Sequence, residues 1–127
     1  MKRVLVDTDI FIDFLRHQER AKDIFEGIMN EKIFAFSSVI TEVELLSGEE
    51  CEEREKRKAV DDLLSLTNRI EVNSSIAKIS GDFRRKYKVP LMDAIVAATA
   101  FKLKSDLCSR NTKHYRKIKE IKLKVPY

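Results

Sequence analysis

Two aspartates flank a threonine at the end of an apolar run, Val4-Leu5-Val6-Asp7-Thr8-Asp9. A short apolar run bounded in this way reads as a buried strand. In open α/β sheets, ligands bind just beyond the carboxyl ends of such strands. Carboxylates gathered there need a compensating charge, and a divalent cation is the natural one. Asp93 is a second acid of this kind, set in the apolar stretch Leu91-Met92-Asp93-Ala94-Ile95-Val96-Ala97-Ala98. A helix apolar on nearly all sides is buried, and an acid within it must be paired, protonated or metal-bound. The plainer alternative is an acid in the first turn that complements the helix dipole.

Glu42 and Glu44 share a third helix. Two residues apart, they point about 200° apart around the axis, so only one can face a shared site. Periodicity does not choose between them: Val39, Val43 and Leu46 form one stripe, and Ile40 lies one turn before Glu44. Other acids read as surface. Asp13 is expected to meet Arg16 or solvent, Asp61, Asp62 and the acids from Glu49 to Glu55 form a solvated helix face, and His17 is a surface residue. Nucleophilic and phosphate-loop chemistries lack their motifs: the chain has no GxSxG, HExxH, CxxC or glycine-rich loop. An all-oxygen carboxylate set suits Mg²⁺ or Mn²⁺ and disfavours Zn²⁺ or Cu²⁺.

The elements that must position these acids alternate along the chain. Strands are expected at Arg3–Val6, Lys32–Phe36, Arg69–Val72, Asp106–Ser109 and Ile121–Val125. Helices are expected at Ile10–Arg16, Glu19–Asn30, from a Ser37 or Ser38 cap to Ser47, Glu49–Leu66, from an Asn73 or Ser74 cap to Tyr87, and Leu91–Lys104. Thr112–Ile118 reads as a helical turn. Pro90 suits the start of its helix, and Gly48 the end of another. Strands alternating with helices predict an α/β fold with a parallel sheet of five short strands covered on both faces.

At 127 residues, with 43% hydrophobic and 36% charged residues, one domain spanning 1–127 is expected, large enough for its own core. Net charge is +4, but unevenly placed. Glu42 to Asp62 carries a net −5 (nine acids, four bases), and Phe101 to Tyr127 a net +7 (nine bases, two acids). A basic C-terminal quarter suits a polyanion such as RNA, although a charge run is also an ordinary solvated surface. Cys51 and Cys108 form no pairing motif and suit a reducing cytoplasm. No apolar run approaches the length of a membrane span.

Four segments in order resemble a known family: Val6-Asp7-Thr8-Asp9-Ile10; Ser38 to Gly48 with Glu44 before Leu45-Leu46-Ser47-Gly48; Leu91 to Ala98 around Asp93; and Ser109-Arg110-Asn111-Thr112-Lys113-His114-Tyr115. Together they resemble a PIN domain, and within that group the VapC-type toxins of toxin–antitoxin pairs. The resemblance covers essentially the whole chain. It implies a three-layer α/β/α fold and a metal-dependent endoribonuclease. It selects Glu44 over Glu42, and makes Asp7, Glu44 and Asp93 metal ligands and catalytic residues, with Asp9 beside them. Thr8, Ser109, Asn111, Arg110 and Lys113 become candidates for holding substrate or water, with Arg116 a further basic neighbour. Mg²⁺ or Mn²⁺ is the implied cofactor. RNA, a VapB-like antitoxin and a second copy of the chain are the implied partners, with no membrane.

This chain departs from the family where a fourth acid is usual. Asn111 and His114 occupy those places, which favours one metal over two and gives Asp9 a compensating role. Without a metal, at least one of the clustered carboxylates should bind a proton or the site should loosen. Rival readings are an RNA-processing nuclease without an antitoxin, a weakened PIN-like RNA-binding protein, and a haloacid dehalogenase-like phosphatase suggested by Asp7-x-Asp9. The phosphatase would need a later paired-acid motif after a strand, and Asp61-Asp62 lies in a charged helix instead.

Overall fold

The computed structural model describes all 127 residues. Five parallel strands form one sheet: β1 (Lys2–Val6), β2 (Ile33–Ser38), β3 (Asn68–Ile70), β4 (Asp106–Cys108) and β5 (Lys122–Lys124), in the order β3-β2-β1-β4-β5. Seven helices surround it: α1 (Thr8–Leu15), α2 (Glu19–Met29), α3 (Val39–Leu46), α4 (Arg54–Leu64), α5 (Ser74–Tyr87), α6 (Leu91–Leu103) and α7 (Thr112–Tyr115).

Side-chain alternation along the strands separates two cores. Val4, Val6, Ala35 and Cys108 face a core closed by α1, α2, α3 and α4, through Phe11, Phe25, Leu45 and Leu64 among others. Leu5, Phe36 and Leu107 face the other, closed by α5, α6 and α7, through Ile76, Phe83, Ala97 and Tyr115. Both faces of the sheet are therefore buried, as all-parallel strands require, and the three-layer α/β/α arrangement follows. No helix is long and apolar enough to cross a membrane.

β1 is central, and the chain moves from it to β2 on one side and later to β4 on the other. The carboxyl ends of β1 and β4 thus flank the topological switch point, where such sheets leave a crevice. One ladder bond continues beyond each strand there: Asp7 N donates to Cys108 O (3.0 Å), and Ser109 N to Lys124 O (3.1 Å). Backbone pairing holds both residues at the rim of the sheet.

Most expected boundaries hold within a few residues, with Ser38 capping α3 and Asn73 capping α5. Three differ for physical reasons. α1 begins at Thr8, because Asp7 itself is the extended N-cap. β3 is shorter and earlier than expected, because its pairing with β2 covers only Phe36 to Ser38. The expected helix Glu49–Leu66 is broken: a 3₁₀ turn covers Glu49–Glu52, Glu53 is extended, and α4 starts at Arg54. A continuous helix would stack Glu49 against Glu53 and Glu50 against Glu53 as like-charge neighbours. The break instead places Glu53 at an N-terminus, where its charge is favourable.

Candidate active site

Asp7 is buried at the carboxyl end of β1 and does not use its side chain to cap α1. Its Oδ2 instead accepts from Ser109 Oγ at 2.8 Å. Burial pushes the carboxyl up to about 7, the negative charges of Asp9 and Asp93 push the same way, and the Ser109 bond only partly opposes them. Burial comes first and the neighbouring negative charges add to it, which is how a carboxyl comes to hold its proton near neutral pH.

Asp9 lies in the first turn of α1. Its Oδ2 accepts from Arg110 N at 2.8 Å, with Ser109 Oγ at 3.4 Å. Its Oδ1 is buried with no partner. Burial raises the Asp9 carboxyl also, against the lowering effect of Arg110. Ser109 is fully buried, and its oxygen accepts from Asn111 N at 2.9 Å while its single proton serves Asp7. Asn111 Nδ2 then donates to Asp93 Oδ2 at 3.3 Å. The loop after β4 thus connects acids from α1 and α6 through one hydroxyl and one amide.

Glu44 reaches the group from α3 through Thr8, whose Oγ1 donates to Glu44 Oε1 at 2.7 Å. Thr8 Oγ1 also lies 2.8 Å from Thr41 Oγ1. A hydroxyl has one proton, so Thr8 gives it to the carboxylate and accepts from Thr41. Glu42 points elsewhere and pairs with Arg69 at 2.7 Å. The two glutamates that periodicity could not separate have different partners on different sides of α3.

The structure places Asp7, Asp9, Asp93 and Ser109 within one interacting group, with Asn111 bridging to Asp93 and Thr8 bridging to Glu44. It does not bring three carboxylates into one closed cage: no three Asp, Glu, His or Cys side chains converge closely enough to enclose an ion. Ser109 bonds Asp7, Asn111 bonds Asp93, and Thr8, between Asp7 and Asp9 in the chain, bonds Glu44. The donor set still fits a hard divalent cation. All its donors are oxygens, Asp9 Oδ1 is unpartnered, and the charges felt by Asp7 are uncompensated.

Two expectations about side chains differ. Asp13 does not lie free or against Arg16 as its main partner: Arg110 Nε and Nη2 donate to it at 2.7 and 3.0 Å. The Arg110 guanidinium, expected at an RNA phosphate, is held by that pair. Lys113 stands exposed on α7. Thr41 and Tyr115 were missed by sequence reasoning. Tyr115 is buried, and its phenol is pushed up first by burial and then by the charges of Asp7 and Asp93. A hydroxyl one turn before Glu44 and an aromatic after the loop were the available signals. Cys108 is no nucleophile, since burial and the nearby charges of Asp9 and Asp7 push its thiol up to about 12.

Comparison with known proteins agrees with this architecture. Ribonuclease VapC19 of Mycobacterium tuberculosis is 28% identical over 116 residues, covering 87% of this chain and 90% of the relative. A solved toxin–antitoxin complex from Klebsiella pneumoniae contains a chain 31% identical to this one, with 98% of both chains covered and a TM-score of 0.82. DNA-bound VapBC from Salmonella typhimurium shares the fold at 19% identity, with 98% of both chains covered and a TM-score of 0.82. The sequence profile of the PIN domain family matches residues 4–120. Profile and fold agree along nearly the whole length, and this chain belongs to the PIN domain family.

Proposed function

We propose that this chain is a metal-dependent endoribonuclease acting as the toxin of a type II toxin–antitoxin pair, with Mg²⁺ or Mn²⁺ as its cofactor. The observation that carries the reading is Asp7. It is a buried carboxylate at a sheet switch point, its neighbouring charges are negative, and its proton is retained up to about pH 7. Such a group costs stability and is kept where a cation or a reaction needs it.

Asp7, Asp93 and Glu44 would hold the ion, with the spare Oδ1 of Asp9 adding charge where Asn111 replaces the family's acid. When bound, the ion supplies an acidified water and stabilises charge on the scissile phosphate. Asp9 or Asp93 orients the attacking water as general base. Ser109 and Asn111 keep the aspartates in place, and Thr8 orients Glu44 by donating to its Oε1. Lys113 and Arg116 attract the RNA backbone.

The Klebsiella toxin–antitoxin complex supports an antitoxin partner; an antitoxin that blocks the acidic site and a homodimer belong to the same reading. Unpaired Cys51 and Cys108 support a reducing cytoplasmic setting.

RNA incubated with the purified chain and Mn²⁺ or Mg²⁺ should be cleaved, and EDTA or Asp7→Asn should abolish the cleavage. No cleavage of total cellular RNA with either ion, from protein freed of any antitoxin, would reject the nuclease. Asn111 favours one further outcome: RNA binding without cleavage would identify a weakened PIN-like binding protein.

A further inference from the structure

Arg110 makes two attachments to α1, one through its side chain and one through its backbone. The guanidinium grips Asp13 with two bonds, Nε to Oδ2 at 2.7 Å and Nη2 to Oδ1 at 3.0 Å. The backbone N–H donates to Asp9 at 2.8 Å. Asp9 and Asp13 are four residues apart on one helix, so they lie on the same face. Tyr127, beyond β5, closes the set: its hydroxyl donates to Asp13 Oδ2 at 2.7 Å, and its ring centroid lies 5.8 Å from the guanidinium carbon. A bidentate pair with a third hydrogen bond and an aromatic face is better ordered than an ordinary surface ion pair. Asp13 is mostly covered within it, with 12% of its side chain exposed.

The neighbours of Arg110 give these contacts their consequence. Ser109 before it bonds Asp7, and Asn111 after it bonds Asp93. Fixing residue 110 on α1 therefore fixes both contacts. It also occupies Asp9 Oδ2 and leaves Oδ1 as the spare oxygen. We infer that Arg110, Asp13 and Tyr127 form a positioning clamp that sets the Ser109–Asn111 loop and the orientation of Asp9, and that Arg110 is a positioning residue rather than an RNA contact. This rests on the nuclease reading for its effect on catalysis, but the clamp itself can be measured without RNA.

Three variants test it: Tyr127→Phe removes one hydroxyl, Asp13→Asn removes the charge, and Arg110→Lys keeps the charge but loses the bidentate fork. Hydrogen exchange of the Arg110 amide should accelerate in all three, with melting curves confirming that each is folded. Mn²⁺ binding measured by calorimetry should weaken about tenfold in Arg110→Lys and Asp13→Asn, and less in Tyr127→Phe. For RNA cleavage, kcat should fall with KM nearly unchanged.

An Arg110 that contacts phosphate predicts the reverse pattern. Arg110→Ala would raise KM and reduce the salt slope by about one, while Tyr127→Phe and Asp13→Asn leave amide exchange and Mn²⁺ affinity unchanged. That pattern would overturn the clamp. If the wild-type chain cleaves no RNA, accelerated Arg110 exchange still upholds the clamp and unchanged exchange still rejects it, so the two readings fail separately.

Discussion

The acids of the α4 region and the acids at the carboxyl end of β1 are the same chemical groups in opposite surroundings. In and before α4, each of three acids has a basic partner one turn away: Glu53 with Lys56, Asp61 with Arg57 and Asp62 with Lys58, at 3.8, 3.9 and 2.8 Å. All stand largely in water, where such pairs contribute little and cost little. At the sheet end, burial and then the charges of Asp9 and Asp93 raise the cost of ionising Asp7, and hydroxyl, amide and backbone donors replace cations. Acid density is higher in the first region. The second is the one with unmet electrostatic demand, and this is what marks a site.

The sharpest test of that contrast is Asp7→Asn or Asp93→Asn, which should lower RNA cleavage by at least about 100-fold. Above about pH 7, where Asp7 is ionised, the same Asp7→Asn change should raise the melting temperature of the EDTA-treated protein, because it removes a buried charge. Retained cleavage would place the chemistry elsewhere.

Next in size is the split between the two glutamates of α3. Glu44→Gln should cost about tenfold or more in cleavage. Glu42→Gln, whose partner is Arg69, should leave cleavage within about twofold. Equal effects would show that the bond to Thr8 does not distinguish them.

A pH series tests the cost directly. Asp7 is raised to about 7 from a reference of 3.8. Below 3.8 both folded and unfolded chains hold its proton. Between these values the folded chain keeps a proton that the unfolded chain has released, so stability falls as pH rises, and above about 7 the loss is complete. Melting curves of wild type and Asp7→Asn in EDTA should therefore diverge between about pH 4 and pH 7, with wild type losing more, and run parallel above that. Saturating Mn²⁺ should reduce the divergence by binding the folded state. Curves parallel throughout would mean that Asp7 ionises without penalty.

The smallest effect belongs to α4. Lys58→Ala breaks the shortest pair there, yet the melting temperature should move by about 1 °C or less. A larger shift would show that these surface pairs act as a network.

How much of this was readable in advance depended on the range of the interaction. The alternation of strands and helices, the caps at Ser38 and Asn73 and the burial of the α6 stretch are local patterns, and they survived folding. The helix break at Glu53 was also local, but its signal was like-charge spacing within an otherwise helical run, which hydrophobic periodicity overlooks. The family resemblance selects Glu44 over Glu42, but the physical reason needs α1 packed beside α3 and presenting Thr8, since helix geometry alone is symmetric to that choice. Thr41 and Tyr115 were inconspicuous because a hydroxyl and a phenol become site groups only when buried next to charge. Asp13, four residues after Asp9, reads as a surface acid in sequence because Arg110 and Tyr127 lie about a hundred residues away in the chain.

By itself, the sequence determined that an apolar strand ends in Asp7, that an acid sits at the start of a buried helix at Asp93, and that the donors are oxygens, because these follow from neighbouring residue types. Only the tertiary structure decided which acids interact, which retains a proton and which arginine is already held. Those outcomes depend on distance and solvent exclusion, and both arise when the ends of β1 and β4, the starts of α1 and α6, and α3 come together at one end of the sheet.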